Sequence, residues 1–337
     1  MLAAAPLGAA ERVTVSVKEA ERRVDVAIDG APFTAYLWPE SLAKPVLWPI
    51  RTAQGTEITR GYPLAPKAGE RADHPHHVGL WLNYGDVNGA DFWGNPGSLA
   101  ASRNPERLGR IAHRKIVEAR GGDTGKLSVT ADWLMPDGAV VLEESTSFVF
   151  RPVDGGRLIE RATTLRATRA VLFKDTKEGM FGLRVARALE HPADAKEKGV
   201  VLGADLRPSP QAPLDNTGIT GMYTSSDGKT GDAVWGTRAR WVALSGRAGG
   251  EDVVIAILDH PANPGAPTHW HARGYGLFAA NPLGQRDFSN GSLELNFSLE
   301  TGDSATFRYG VAILPGRLDA ARAEKLFKEF AKRRSGP

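Results

Sequence analysis

Residues 111–165 read IAHRKIVEARGGDTGKLSVTADWLMPDGAVVLEESTSFVFRPVDGGRLIERATTL. Four runs within them, Ile111 to Ala119, Leu127 to Leu134, Val140 to Phe150 and Leu158 to Leu165, are rich in β-branched and aromatic residues. Between the runs stand Gly121-Gly122, Pro136-Asp137-Gly138 and Asp154-Gly155-Gly156. Long extended runs joined by such short turn segments fold back beside one another, which predicts an antiparallel meander and an all-β chain.

The same pattern continues outward in both directions. Upstream, Val13 to Val17, Val24 to Ile28 and Phe33 to Leu37 alternate polar and apolar residues. Asp29-Gly30 supplies a two-residue turn for an early hairpin, and Pro49 marks the end of a strand from Val46 to Ile50. Downstream, strands are expected at Val171 to Phe173, Met180 to Val185, Gly199 to Leu202, Arg240 to Leu244, Val253 to Leu258, Gly276 to Ala280, Leu293 to Leu299 and Thr306 to Leu314. Between Arg207 and Asp232, Pro, Gly, Ser and Thr accumulate into a long connection with one short strand near Ile219. Helical periodicity occurs once, over Leu318 to Arg333. There Leu318, Ala321, Leu326, Phe327 and Phe330 share a face, basic residues crowd the last turns, and Gly336 and Pro337 act as a stop. This helix is expected as a lid on the edge of the sheets.

Composition narrows the class. Of 337 residues, 42% are hydrophobic and 24% charged, which suits a globular chain with a sizeable core. No apolar window of about 18 residues occurs, so no membrane-spanning helix is expected. The net charge of +3 is concentrated in Arg317 to Arg334, which carries seven basic and three acidic residues. A basic terminal helix without a basic patch on the body argues against nucleic acid as a partner. The absence of cysteine excludes disulfides, thiolate metal sites and a cysteine nucleophile. Neither a phosphate-binding Gly-rich loop nor a G-x-S-x-G elbow is present. Residues 1–11 read as a disordered or processed tail whose Ala-rich stretch resembles the end of a cleaved signal peptide, which favours an exported or periplasmic location over the cytoplasm.

Three segments concentrate groups that can do chemistry. The first runs from Asp73-His74-Pro75-His76-His77 through Trp81, Asp86, Asp91 and Trp93 to Gly97, and holds three of the eight histidines. If it is extended, His74 and His76 point to one side and His77 to the other. Imidazoles exchange protons near neutrality, so three together beside aspartates suggest a site; the plainer reading is a surface turn. The second is Lys174-Asp175-Thr176-Lys177-Glu178-Gly179, followed by Arg184. On composition alone it is a solvated turn of mixed charge, although paired carboxylates and ammonium groups can also divide acid and base roles. The third is Asp259-His260-Pro261 with Thr268-His269-Trp270-His271, in which both imidazoles of the H-W-H run face one side of a strand and Trp270 the other.

In that order, the segments His74 to Gly94, Lys174 to Ala186 and Leu258 to Gly284, with the C-terminal helix, resemble the bacterial PmoA-like family of unknown function, which carries a methane oxygenase name. The resemblance implies a large antiparallel β-sandwich of the galactose mutarotase-like kind, a supersandwich, as a single domain over residues 12–335. It also promotes the Lys174 to Gly179 loop from turn to site. The expected function is a carbohydrate-active enzyme using general acid/base catalysis as an epimerase, lyase or hydrolase. His74, His76, His77, Asp175 and Glu178 are its candidate catalytic groups. Arg184, Trp81, Trp93, His260, His269, His271 and Asn281 are candidates for binding a small carbohydrate, and no cofactor is required. Two alternatives stand beside it: a non-catalytic carbohydrate-binding module, and a metalloenzyme holding zinc or copper on His76, His269 and His271. All three segments are expected to converge in one concave site.

Overall fold

The computed structural model describes residues 12–95 and 104–333. The expected N-terminal tail, the Pro96-Gly97 end of the histidine segment and the Gly336-Pro337 stop lie outside the described residues. Two eight-stranded sheets, antiparallel at every pairing, face each other. The first runs in the order Val13–Lys18, Arg23–Ile28, Ala31–Leu37, Val46–Leu47, Leu80–Tyr84, Gly179–Arg184, Leu277–Asn281, His269–Arg273. The second runs Met222–Ser225, Trp241–Ala248, Glu251–Asp259, Ser304–Pro315, Gly156–Ala167, Val140–Val153, Gly125–Leu134, Arg110–Arg120. Its last four strands are the meander. In Gly125–Leu134 buried and half-buried residues alternate without a break, as expected for a strand with one face on a core. Asp29 and Gly30 both adopt positive φ in the hairpin turn, where Ile28 pairs Ala31.

The core lies between the sheets. Phe181 of the first stacks on Tyr309 of the second with ring centres 4.5 Å apart, and Phe33 meets Phe150 edge-on at 6.3 Å. The protein is therefore mostly β, a sandwich with one C-terminal helix, as the turn spacing indicated. That helix, Ala320–Ala331, starts at Asp319, whose carboxylate accepts from the backbone N–H of Ala321 at 2.9 Å and of Arg322 at 3.3 Å. It does not cap a sheet edge. Phe327 and Phe330 pack on the outer face of the second sheet, because Trp241, Val254, Ala256 and Leu314 make that face apolar.

Three strand expectations change for local reasons. Leu293 to Leu299 shortens to Phe297–Leu299, since the N–H groups of Leu295 and Asn296 bond the Asp175 carboxylate instead of a neighbouring strand. The strand near Ile219 lies at Met222–Ser225, and a further one, Pro208–Gln211, pairs with Gly199–Leu202 where its two prolines hid it. Val46 to Ile50 keeps only Val46–Leu47, and Trp48 turns its N–H to the Ala35 carbonyl.

One contrast points to the site. Leu80–Tyr84 and Leu277–Asn281 are buried at every position, so something also covers the outer face of the first sheet. Away from that region, Asp319→Ala should remove the helix cap and cost about 1 kcal/mol, read as a lower urea midpoint with an unchanged slope.

Candidate functional site

The cover is the histidine segment. Across the outer face runs a row set by strand register: Trp81 opposite Gly182, Gly182 opposite Ala279, Ala279 opposite His271. A side chain at position 182 would put its Cβ 2.6 Å from the Trp81 indole, so glycine is what lets that ring lie flat across the sheet. Leu42, Val46, Val78, Trp93 and Leu277 close a small apolar cluster around Trp81. Trp81 and Trp93 meet with ring centres 5.5 Å apart.

Residues 74–77 are a tight turn, not an extended run, which corrects the expected facing of the three histidines. The His77 N–H bonds the His74 carbonyl at 3.0 Å and His74 has φ +42°. Pro75 occupies the second turn position, which its fixed φ suits. The turn puts His74 and His77 parallel, ring centres 4.8 Å apart; both rings also lie parallel to Tyr275, at 5.0 and 6.4 Å, and His77 stacks on Trp81 at 5.5 Å. His76 stands edge-on to His77 at 4.3 Å. His74 is exposed while His76 and His77 are buried.

Two guanidinium groups hold the turn. The Asp73 carboxylate accepts from Arg60 and from Arg184, each at 2.7 Å. Arg60 further donates from its two terminal nitrogens to the carbonyls of Arg71, Asp73, His74 and His77, which ties the backbone of the segment to it. Arg184, fully buried, lies over the Tyr275 ring at 5.0 Å and reaches Glu190 at 3.8 Å. Among its ion pairs Glu178 does not appear. Glu190, also fully buried, takes Arg71 at 2.8 Å and Arg187 as well. Burial alone would raise the Asp73 carboxyl, but Arg184, His74 and Arg60 hold it well below the usual carboxylate range.

Burial pushes His76 and His77 well below an ordinary imidazole, and the neighbouring cations act in the same direction. His271 is pushed down to about 3, chiefly by burial and partly offset by its bond to the Lys177 carbonyl at 3.0 Å. Glu178 moves the other way. Burial raises it, against the opposing pull of Lys177 at 3.3 Å, while its side chain stays 35% exposed. The His74 ring is near enough to influence both Glu178 and His271. Among the described residues, then, His74, His76, His77, Trp81, Trp93, Arg184, Glu178 and His271 gather on one face.

Other expected site residues have structural partners. Asp175 accepts from the backbone N–H of Arg286, Leu295 and Asn296, clasping the 284–296 segment, so its carboxylate is not turned to the histidines. Asn281 is fully buried, donates to the Thr176 carbonyl and accepts from Leu283 and Gly284. His260 belongs to the far sheet, where it meets Phe330 of the helix edge-on at 5.3 Å. His269 shares its face with His271, as the H-W-H spacing indicates, with Trp270 turned into the core; it bonds the Gly236 carbonyl and stacks on Phe288. His76, on the turn, does not close a ligand set with His269 and His271, and among the described residues no three His, Asp or Glu side chains are arranged to hold a metal ion.

The reading from sequence missed Arg60, Arg71, Glu190, Tyr275 and Lys44. Tyr275 lay within the third resembling segment, in Arg273-Gly274-Tyr275-Gly276, and an aromatic between glycines beside two histidines was a usable signal. The others stand in irregular segments where no periodicity marks them.

A family comparison matches residues 23–328 of this chain. The chain belongs to DUF6807, a family of unknown function. No curated protein matches. Among solved structures, a galactose mutarotase-like protein from Clostridium acetobutylicum is 10% identical over 91% of this chain and 99% of its own, with a TM-score of 0.40. A galactose mutarotase related enzyme from Lactobacillus acidophilus is 10% identical over 91% and 100%, with a TM-score of 0.32. A proposed kojibiose phosphorylase from the human microbiome is 10% identical over 94% of this chain, with a TM-score of 0.33; the chain spans 33% of its length. Likenesses this distant carry no argument about activity, and the sandwich rests on its own strand order. What stands of the resemblance read from the sequence is a family without an assigned function and galactose mutarotase-like structural neighbours.

Replacing Asp73 by Ala should leave Arg60 and Arg184 buried without their shared partner and cost about 3–5 kcal/mol, measured by urea unfolding. A second expectation concerns acid. In the folded state His76, His77 and His271 stay neutral, whereas in the unfolded chain they take up protons below about 6.5. Their stabilisation is complete above that pH and is lost progressively as pH falls from 6.5 towards about 3 for His271. Between pH 7 and 5 His271 should withdraw about 2 kcal/mol, and His271→Gln should flatten the fall in urea midpoint by that share.

Proposed function

We propose that the outer face of the first sheet binds a small carbohydrate and moves protons on it, with His76 as base and Glu178 as acid. The observation that supports this reading is the opposite direction in which burial shifts an imidazole and a carboxyl that both lie close to His74. Buried imidazoles are held neutral and able to accept a proton, while a half-buried carboxyl keeps its proton to higher pH than usual. Surroundings that lower an imidazole and raise a carboxyl bring their proton affinities closer together, which suits a base and an acid exchanging protons with one substrate. The exposed His74 ring offers aromatic surface for the C–H side of a sugar ring. Arg60, Arg184 and Asp73 hold the turn, so that the imidazoles are oriented before a ligand arrives.

In this mechanism His76 withdraws a proton from a hydroxyl or a ring carbon, and Glu178 returns one to the oxygen that gains electron density. Epimerisation, elimination and hydrolysis all share that exchange.

The test is turnover on a panel of aldoses, uronates and disaccharides followed by proton NMR, which reports ring-proton exchange, epimerisation and cleavage together. His76→Ala and Glu178→Gln should each lower turnover by about 10²–10⁴. Glu178→Gln should leave the melting temperature nearly unchanged. Saturable sugar binding without turnover on any substrate would make the site a binding module instead.

A further inference from the structure

A second cleft, of about 310 Å³, opens between the segment that follows the third strand of the first sheet and the start of Arg110–Arg120. The Ile111 N–H bonds the Ala43 carbonyl at 2.7 Å and joins the two sides. Among its lining residues are Arg22, Lys44 and Arg110, against a single carboxylate, Glu40, which Arg22 already pairs at 2.6 Å. Arg110 is exposed and makes no side-chain hydrogen bond among the described residues. One wall is Trp38, half-buried, its ring stacked on His113 at 4.2 Å.

Lys44 is the unusual member. Its side chain is 2% exposed, and its ammonium donates to the Trp93 carbonyl at 3.0 Å and lies 5.7 Å from the Trp81 ring centre. Among the described residues no carboxylate comes within ion-pair distance of it, and residues 96–103, which continue the chain after Asn95, contain no Asp or Glu. A buried ammonium is costly unless paired, and here two of its three N–H donors have no partner among the described residues. Burial pushes the amine down to about 7, with distant Asp91 resisting. An anion in the adjoining cleft would supply the missing charge.

We propose that this cleft is a second ligand site, selective for a sugar bearing an oxyanion, a carboxylate or a phosphate, with Lys44 and Arg110 as partners of the anion and Trp38 as the face that receives the ring. The volume suits one monosaccharide, since small-ligand pockets start near ~300 Å³. An indole accepts the C–H face of a pyranose, while a guanidinium and an ammonium together select the charged substituent. The inference is independent of the histidine site, although Lys44 also exerts its charge on His76.

Calorimetric titration of the full chain with glucuronate, glucose 6-phosphate and glucose tests it. One or both anionic sugars should bind, and glucose at the same concentration should give no heat. Which anion binds distinguishes the carboxylate from the phosphate source. Lys44→Met and Arg110→Gln should each weaken binding by at least about tenfold. Lys44→Met should change the melting temperature little, because methionine keeps the packing of the buried stem and the lost bond to the Trp93 carbonyl is offset by removal of a buried charge. His76→Ala should leave anion binding intact, so failure of the proton-transfer reading and failure of this one are separable. No binding of either anion, equal affinity for glucose, or anion binding unchanged in both variants would overturn the proposal.

Discussion

The candidate site depends on one carboxylate shared by two arginines. Asp73 stands between Arg60, which precedes the histidine turn in the chain, and Arg184, which projects from the strand beneath it. Both guanidinium groups are nearly free of solvent, so the carboxylate is the group that makes their burial tolerable. Through Arg60 the same charge cluster binds four backbone carbonyls, which turns an irregular segment into a rigid cover. The cost of burying those charges is offset locally, and what it secures is geometry: three imidazoles, an indole and a phenol in fixed mutual orientation.

That rigidity explains the electrostatic division of the face. Water is excluded above Trp81, so His76 and His77 are kept neutral, and the cationic surroundings of Arg60, Arg184 and Lys44 push in the same direction. At the rim, where Glu178 has partial access to solvent, burial acts on an acid and raises it. One physical cause, desolvation, therefore has opposite consequences for the two kinds of group. Lys44 belongs to both halves of the molecule's chemistry: it props Trp81 and Trp93 under the histidine turn and borders the basic cleft on the other side.

The architecture was legible in the sequence because strand formation leaves a local record. Period-two alternation in Gly125–Leu134, the Asp29-Gly30 turn and the apolar face of Ala320–Ala331 each follow from residues adjacent in the chain. The H-W-H run likewise fixed the facing of His269 and His271 on its own, since a strand's side chains alternate whatever packs on them. Asp175 and Glu178 looked equivalent, three positions apart in one charged loop. Only the fold assigned Asp175 to the backbone of 286–296 and left Glu178 at the rim.

The sequence by itself determined the strands, their antiparallel order in the meander, the helix and the presence of a histidine-rich segment, because these depend on neighbours a few residues apart. Tertiary structure alone decided that the segment closes as a turn, that Arg60 and Arg184 meet at Asp73 from positions 13 and 111 residues away, and that Lys44 is buried with no carboxylate beside it among the described residues. Such arrangements depend on which distant groups share a desolvated volume, and no local period in the chain encodes that.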